Sequence, residues 1–362
     1  MALSSSTRLS YLDWLRGIAA IVMLQGHTFD SFTRPDLRDS SAFVLSQFVG
    51  GLPPALFLFL TGVTLAFRMD SDERRGLNAS ARVVHAWKRA GYLLGLAFLF
   101  RIQLWAFAWP DGRWTDIFKV DILNCMAVSV FVISLMASFR TAERMRLCAV
   151  LGLAIACASP LMSQVNWSGV APIVKDYLAP DYTHFSFFPW ASFLAFGASA
   201  GSMIRQLSDE SLDRAMQWGA ISGAMLIVSG RYFADIPYSL YSKSEFWLDS
   251  PAQVFIKLGV MLCMMAFAFL WTRYVAAPGW SWIRQFGTTS LLVYWLHTEL
   301  VYGRWLKPWK ENLDVPQTLA AAAGVIVLML VVSTSKTYVE RWSARPAALR
   351  WYPFPSPRVP AD

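Results

Sequence analysis

The chain has 362 residues, of which 56% are hydrophobic, 15% aromatic and only 15% charged, with a formal net charge of +8. That charged share is far below the roughly 25% of a water-soluble domain, and the aromatic content excludes an intrinsically unfolded chain. The basic residues lie between long apolar runs instead of gathering on one polar face, which excludes nucleic-acid binding and points to membrane topology.

Taken in chain order, apolar runs bounded by Gly, Pro and charge predict about ten membrane-spanning helices. They cover residues 10–31, 43–67, 90–109, 119–139, 146–162, 185–204, 213–230, 252–272, 283–303 and 317–335. The expected fold is therefore an all-α polytopic membrane protein. A transmembrane domain occupies 1–340, and a Pro-rich cytoplasmic tail occupies 341–362. The first run carries Asp13 and Arg16 inside it and has no small-residue cleavage site after a clean apolar core, so it reads as a span and not as a removable signal peptide. The second contains Gly50, Gly51, Pro53 and Pro54 and is expected to kink or to begin as a re-entrant piece. Cys125, Cys148, Cys157 and Cys263 all fall in apolar stretches without CxxC spacing, which predicts buried thiols, with neither a disulfide framework nor a metal site. No internal or inverted repeat is visible.

An even number of spans puts both termini on one side. Of the 32 Lys and Arg residues, 19 fall on that side and 10 on the other, while Arg16, Arg101 and Lys257 lie within spans. The positive-inside rule makes the richer side cytoplasmic. The cytoplasmic loop with Arg74, Arg75, Arg82, Lys88 and Arg89 serves as a topology signal, or as a surface for anionic headgroups or a polyanionic cofactor. Opposite, segments 163–184 and 231–250 are rich in Tyr, Trp, Asp and Ser and suit a vestibule for a polar substrate.

Ionisable groups inside spans are expensive and mark functional candidates. In the first span, Arg16 and His27 are eleven residues apart, about 20° past three full turns, and Asp13 faces Arg16 at i,i+3. The three share one stripe with Ala20 and Met23, with Arg16 near the cytoplasmic interface and His27 about 16 Å deeper. Arg16 is placed for an anionic ligand from the cytoplasm, and His27 for general-base chemistry toward a substrate from outside. The structural alternative has Asp13 neutralising Arg16 at the interface and His27 hydrogen-bonded within the bundle. His297, in the ninth span, reaches a similar depth and can share a cavity with His27, or else is a packing histidine. Glu299 is about 200° around the helix from His297 and cannot line the same narrow face.

Asp121 and Asn124, i and i+3 at the outer start of the fourth span, orient a sugar or a histidine, or simply cap the helix. Arg101 lacks a local acid and must face a wet cavity or pair across helices. Lys257 is close enough to a span end to snorkel, most tryptophans are interface anchors, and His85 and His184 are solvated.

These residues resemble a known family. LDWLRG, with a histidine after the ten residues GIAAIVMLQG, is similar to the Arg-x10-His pattern of the transmembrane acyltransferase-3 superfamily. FLFLTGVTLAF (57–67) and FFPWASFLAFGASAG (187–201) resemble segments of its heparan-alpha-glucosaminide N-acetyltransferase-like branch, and FGTTSLLVYWLH (286–297) resembles its late histidine segment. The resemblance implies a ten- or eleven-helix bundle moving an acyl group, usually acetyl, from cytoplasmic acyl-CoA to a hydroxyl or amine of an extracytoplasmic glycan. Carried over by position, Arg16 and His27 match the family's motif residues and His297 its late histidine. The chain's own candidates join them: Asp121 beside His27 and His297 for catalysis, Arg89 and Arg101 beside Arg16 on the CoA side, and Asn124 and Trp190 for the acceptor. Acetyl-CoA or another acyl-CoA is the implied co-substrate, with no metal; the partners are the glycan and membrane lipids, and the oligomeric state stays open. The competing functions are a transporter or flippase of a polar lipid or glycan and a non-catalytic scaffold. The missing broken repeat pairs disfavour the former.

Overall fold

The computed structural model describes residues 10–238, 240–276 and 279–343; the Pro-rich tail, from residue 344 on, lies outside the described residues. The chain folds as α1 (Ser10–Phe32), α2 (Ser41–Gly50), α3 (Pro53–Arg74), α4 (Ala79–Phe107), α5 (Ile122–Ile133), α6 (Thr141–Gln164) and α7 (Pro172–Leu178). It continues as α8 (Phe187–Gln206), α9 (Asp209–Asp235), α10 (Pro251–Leu270), α11 (Trp282–Thr288), α12 (Ser290–Tyr302) and α13 (Val315–Ser343). Apart from one isolated bridge between Thr33 and Leu313, the described regular structure is helical. Side-chain caps from Ser40, Asn78, Asp121, Ser208 and Ser250 satisfy the first amides of α2, α4, α5, α9 and α10.

The protein is an all-α multi-pass membrane protein. Among the described residues, seven stretches are long and apolar enough to cross a bilayer: Ser41–Arg74, Ala79–Phe107, Trp114–Ser138, Thr141–Gln164, Phe187–Gln206, Pro251–Val275 and Val315–Glu340. Ten were expected from the apolar runs. The three others are helical but differ in kind. Charged and polar side chains interrupt α1, Asp209, Glu210, Asp213, Arg214, Arg231 and Asp235 crowd the ends of α9, and the ninth run is broken.

The break expected in the second span is present, α2 ending at Gly50 and α3 opening on Pro53. The break in the ninth run was not expected, because the run reads as continuously apolar. Here Thr288 and Thr289 both turn their hydroxyls back to the Gln285 carbonyl, at 3.0 and 2.8 Å, offering the backbone a local alternative to helix continuation. The short α11 thereby lies against α1, where a side chain at Gly287 would strike the Asp13 carbonyl.

The bundle core is built on close helix pairs, the commonest solution where lipid supplies no hydrophobic drive. α8 is packed between α3 and α6, and a Cβ at Gly197 would collide with the Phe59 carbonyl of α3. Gly197→Ala is accordingly expected to cost about 1–3 kcal/mol, read as a lowered melting temperature in detergent, because a backbone carbonyl cannot move aside as a side chain tip can. An unchanged melting temperature would mean that α3 and α8 are not packed backbone to backbone.

The two ends of the bundle differ. At the end where α1 begins, the basic loops join one polar network. Arg205 Nε lies 2.6 Å and Arg74 Nε 3.0 Å from Asp70 Oδ2, while Arg82 and Arg144 approach Glu73 Oε2 at 3.4 and 3.6 Å. This places the 68–89, 140–146 and 205–214 loops at one end, as the charge count groups them. At the opposite end, the Ser31 and Phe32 carbonyls accept from Glu311, Asn312 and Leu313, tying the exit of α1 to the entry of α13.

Candidate functional site

Against α1 runs α12, and the two expected histidines meet where the helices touch. His27 Nδ1 lies 2.8 Å from His297 Nε2, with the rings 5.1 Å apart. His297 is fully buried, and its Nδ1 lies 2.7 Å from the Val293 carbonyl one turn back. That contact assigns the protons. A carbonyl only accepts, so His297 Nδ1 carries hydrogen; in the neutral ring its Nε2 is then a lone pair and must accept from His27 Nδ1–H. His27 Nε2 is left as the unprotonated nitrogen, and among the described residues it has no hydrogen-bond partner. His27 itself is partly exposed.

Around this pair stand groups that were not singled out from sequence. The Tyr302 ring is edge-on to His27 at 5.3 Å, and its hydroxyl donates to Asp30 Oδ2 at 2.8 Å. Tyr294 is edge-on to His297 at 6.0 Å. Asp30 carried a readable signal, being i+3 from His27; Tyr302 did not, because its partner is on another helix. Glu299 turns away and accepts the Trp305 indole at 3.0 Å.

At the other end of α1, Arg16 donates to Asp13 Oδ1 at 3.2 Å. Arg89 of α4 makes no ion pair among the described residues and lies within electrostatic reach of Arg68 and Arg16. Three arginines from α1, α3 and α4 thus converge. The stripe between Arg16 and His27 is not an open wall: Ala20 and Met23 are buried in one cluster with Phe286 and Val293.

Arg101 does not join that cluster. It lies about 18 Å further along α4 than Arg89, where its Nε sits 3.5 Å from Asp121 Oδ2 and donates to the Lys119 carbonyl at 3.0 Å. The missing acid comes from across the helices. Asp121 Oδ1 caps α5 by accepting from Leu123 and Asn124 amides, so the helix-start role is realised. Its Oδ2 is buried without a hydrogen bond. Asn124 completes the capping box and donates to the Tyr177 hydroxyl at 3.0 Å.

Trp190 packs edge-on against Phe185 and carries the Lys257 ammonium 5.0 Å over its ring, so Lys257 turns onto an indole instead of merely snorkelling. His85 and His184, expected to be solvated, each face a carboxylate at 3.3 Å, Asp72 and Asp176 respectively. The four cysteines are free thiols; Cys125 and Cys148 are buried, and Cys157 and Cys263 only partly so.

A family model described as heparan-alpha-glucosaminide N-acetyltransferase, catalytic, matches residues 8–239. The matched stretch runs from α1 through α9. It contains Arg16, His27, Arg89, Arg101, Asp121, Asn124 and Trp190 and stops before His297. No curated protein matches the chain.

Proposed function

The chain belongs to the heparan-alpha-glucosaminide N-acetyltransferase catalytic family, and from that premise we propose that it is an acetyl-CoA-dependent acetyltransferase of the cytoplasmic membrane. It transfers acetyl from the cytoplasmic side to an amine or hydroxyl of an extracytoplasmic glycan. The observation that carries this reading is the free Nε2 of His27, held as a lone pair by the His27–His297–Val293 chain. The 19-to-10 division of basic residues supports cytoplasmic termini.

In this reading the phosphates of CoA sit at the Arg16, Arg68 and Arg89 convergence, where guanidinium groups suit phosphate geometry. The thioester is delivered toward His27, about 16 Å along α1. With Ala20 and Met23 packed between, delivery along that line parts α1 from α11 and α12. His27 Nε2 takes the acceptor proton as the acceptor nitrogen or oxygen bonds to the thioester carbon. The C–S bond breaks, and the proton passes to the departing thiolate, returning CoA as thiol and His27 as the neutral ring. His297 keeps His27 in the useful tautomer. Asp121, Asn124, Arg101 and Trp190 belong to the acceptor end, which moves Arg101 from the donor side and Asp121 from the catalytic group to the acceptor side.

The test is acetyl transfer from labelled acetyl-CoA to a glucosaminide by the purified chain in nanodiscs. Product formed only with acceptor on the face opposite the CoA supports the reading. Folded protein that moves labelled glycan without acetylating it would establish the transporter instead. Arg16→Ala is expected to raise KM for acetyl-CoA by about tenfold, the loss of one charge-assisted phosphate contact, with a smaller fall in kcat. A pure kcat effect would place Arg16 at the transition state.

A further inference from the structure

Beyond the histidine pair, α12, the 303–314 connection and α13 enclose an apolar groove of about 600 Å3 lined by Leu300, Trp309, Ala321, Gly324 and Leu328 among others. Small residues in the run Ala320–Gly324 recess the surface of α13, and a Cβ at Gly324 would meet nothing within 4 Å. The groove lies on a stretch that crosses the bilayer, reaching from the start of α13 to Leu328, about 20 Å along the helix axis. Its depth is that of hydrocarbon. Lys307 and Lys310 flank the lining Trp309, next to Glu311, which pairs with Arg38, and Asp314, which caps α13; among the described residues Lys307 has no carboxylate partner while Lys310 donates to the Tyr302 carbonyl. An apolar trough ending in an indole and two ammonium groups has the complementary form of an anionic amphiphile.

We propose that this groove binds one hydrocarbon chain of an anionic membrane phospholipid, with the lipid phosphate at Lys307 and Lys310. A second copy of this chain is a poorer occupant, since a two-fold contact centred on Trp309 would set Lys307 and Lys310 against their own counterparts. The site adjoins the histidine pair through α12: Leu300 follows His297 by one turn, and Lys310 holds the carbonyl of Tyr302, whose ring contacts His27.

The experiment uses the full chain in nanodiscs carrying either photoreactive phosphatidylglycerol or photoreactive phosphatidylcholine, with adducts mapped by peptide mass spectrometry. Its readout is independent of acetyl transfer. The glycerol lipid is expected to label the 300–328 region about fivefold more than the choline lipid for each lysine engaged. Gly324→Leu, which fills the groove, is expected to remove labelling by both. Lys307→Gln, an exposed change that leaves the groove open, is expected to reduce the preference for phosphatidylglycerol. Equal labelling by the two lipids, labelling unaffected by Gly324→Leu, or a crosslinked homodimer through α13 in place of lipid adducts would each overturn the proposal.

Discussion

His27→Ala is expected to lower kcat for acetyl transfer by about 10²–10⁴-fold, the range that a positioned general base supplies, with little change in KM for acetyl-CoA. The argument rests on proton bookkeeping. Val293 fixes hydrogen on His297 Nδ1, His297 Nε2 then accepts from His27 Nδ1–H, and the lone pair that remains is His27 Nε2. His297→Ala removes the acceptor for His27 Nδ1–H and lets the ring populate the other tautomer. Its loss is expected to be smaller, about 10–100-fold, as when a group that orients an imidazole is deleted. His297→Gln retains an oxygen that can accept from Nδ1–H and should recover part of that activity. Rescue by Gln but not Ala is the signature of a positioning role. Equal activity in the two variants would mean that the contact only packs. Acid-quenched single turnovers add the remaining distinction: an acetyl group trapped on His27 would make Nε2 the acyl acceptor instead of the base.

That pairing was half legible in sequence. The helical repeat puts Arg16, Asp13 and His27 on one stripe, and the depths of His27 and His297 within their spans are similar, so their meeting follows from counting residues along two helices. What the stripe faces is not encoded in its own spacing. Ala20 and Met23 pack with Phe286 and Val293, making the stripe a seam and not a channel wall. The break at Thr289 is invisible to an apolar count because threonine hydroxyls choose between solvent and a local carbonyl only once neighbours are in place. Arg101 shows the same limit from the other direction. A mid-span arginine without a local acid had to face a wet cavity or pair across helices; it takes the second course, but only the three-dimensional arrangement identifies Asp121 as the partner and separates Arg101 from Arg89. The helices were readable because each is specified locally, and the seven clear crossings are those whose apolar core carries at most two charged residues. The basic loops at the start of α1 read in sequence as a topology signal or an anion-binding surface but not as an ion-pair network, since Glu73 and Arg144 are 71 positions apart and nothing in either neighbourhood points to the other.

That network carries the largest expected effect on stability. Glu73→Ala is expected to cost about 3–5 kcal/mol, the usual result of stripping one partner from a buried ionic arrangement. Glu73 Oε2 is approached by both Arg82 and Arg144, and also accepts the Thr141 amide at 3.1 Å. Arg144 is fully buried, so its guanidinium cannot turn to water when the carboxylate goes, and its remaining acceptors are Thr141, Ser202 and the Phe139 carbonyl. Arg144→Met should cost less, because it removes the buried charge itself and leaves Glu73 with Arg82 and Thr141. Chemical unfolding monitored by tryptophan fluorescence orders the two variants. A larger loss for Arg144→Met than for Glu73→Ala would show that packing around the arginine stem, not charge compensation, holds this end together. The same variants bear on the donor site. α3 and α4 carry Arg68 and Arg89 as well as Glu73 and Arg82, so loosening their junction should weaken CoA binding along with stability. A Glu73 variant that melts lower yet binds CoA as tightly as the wild type would separate the scaffold from the arginine convergence.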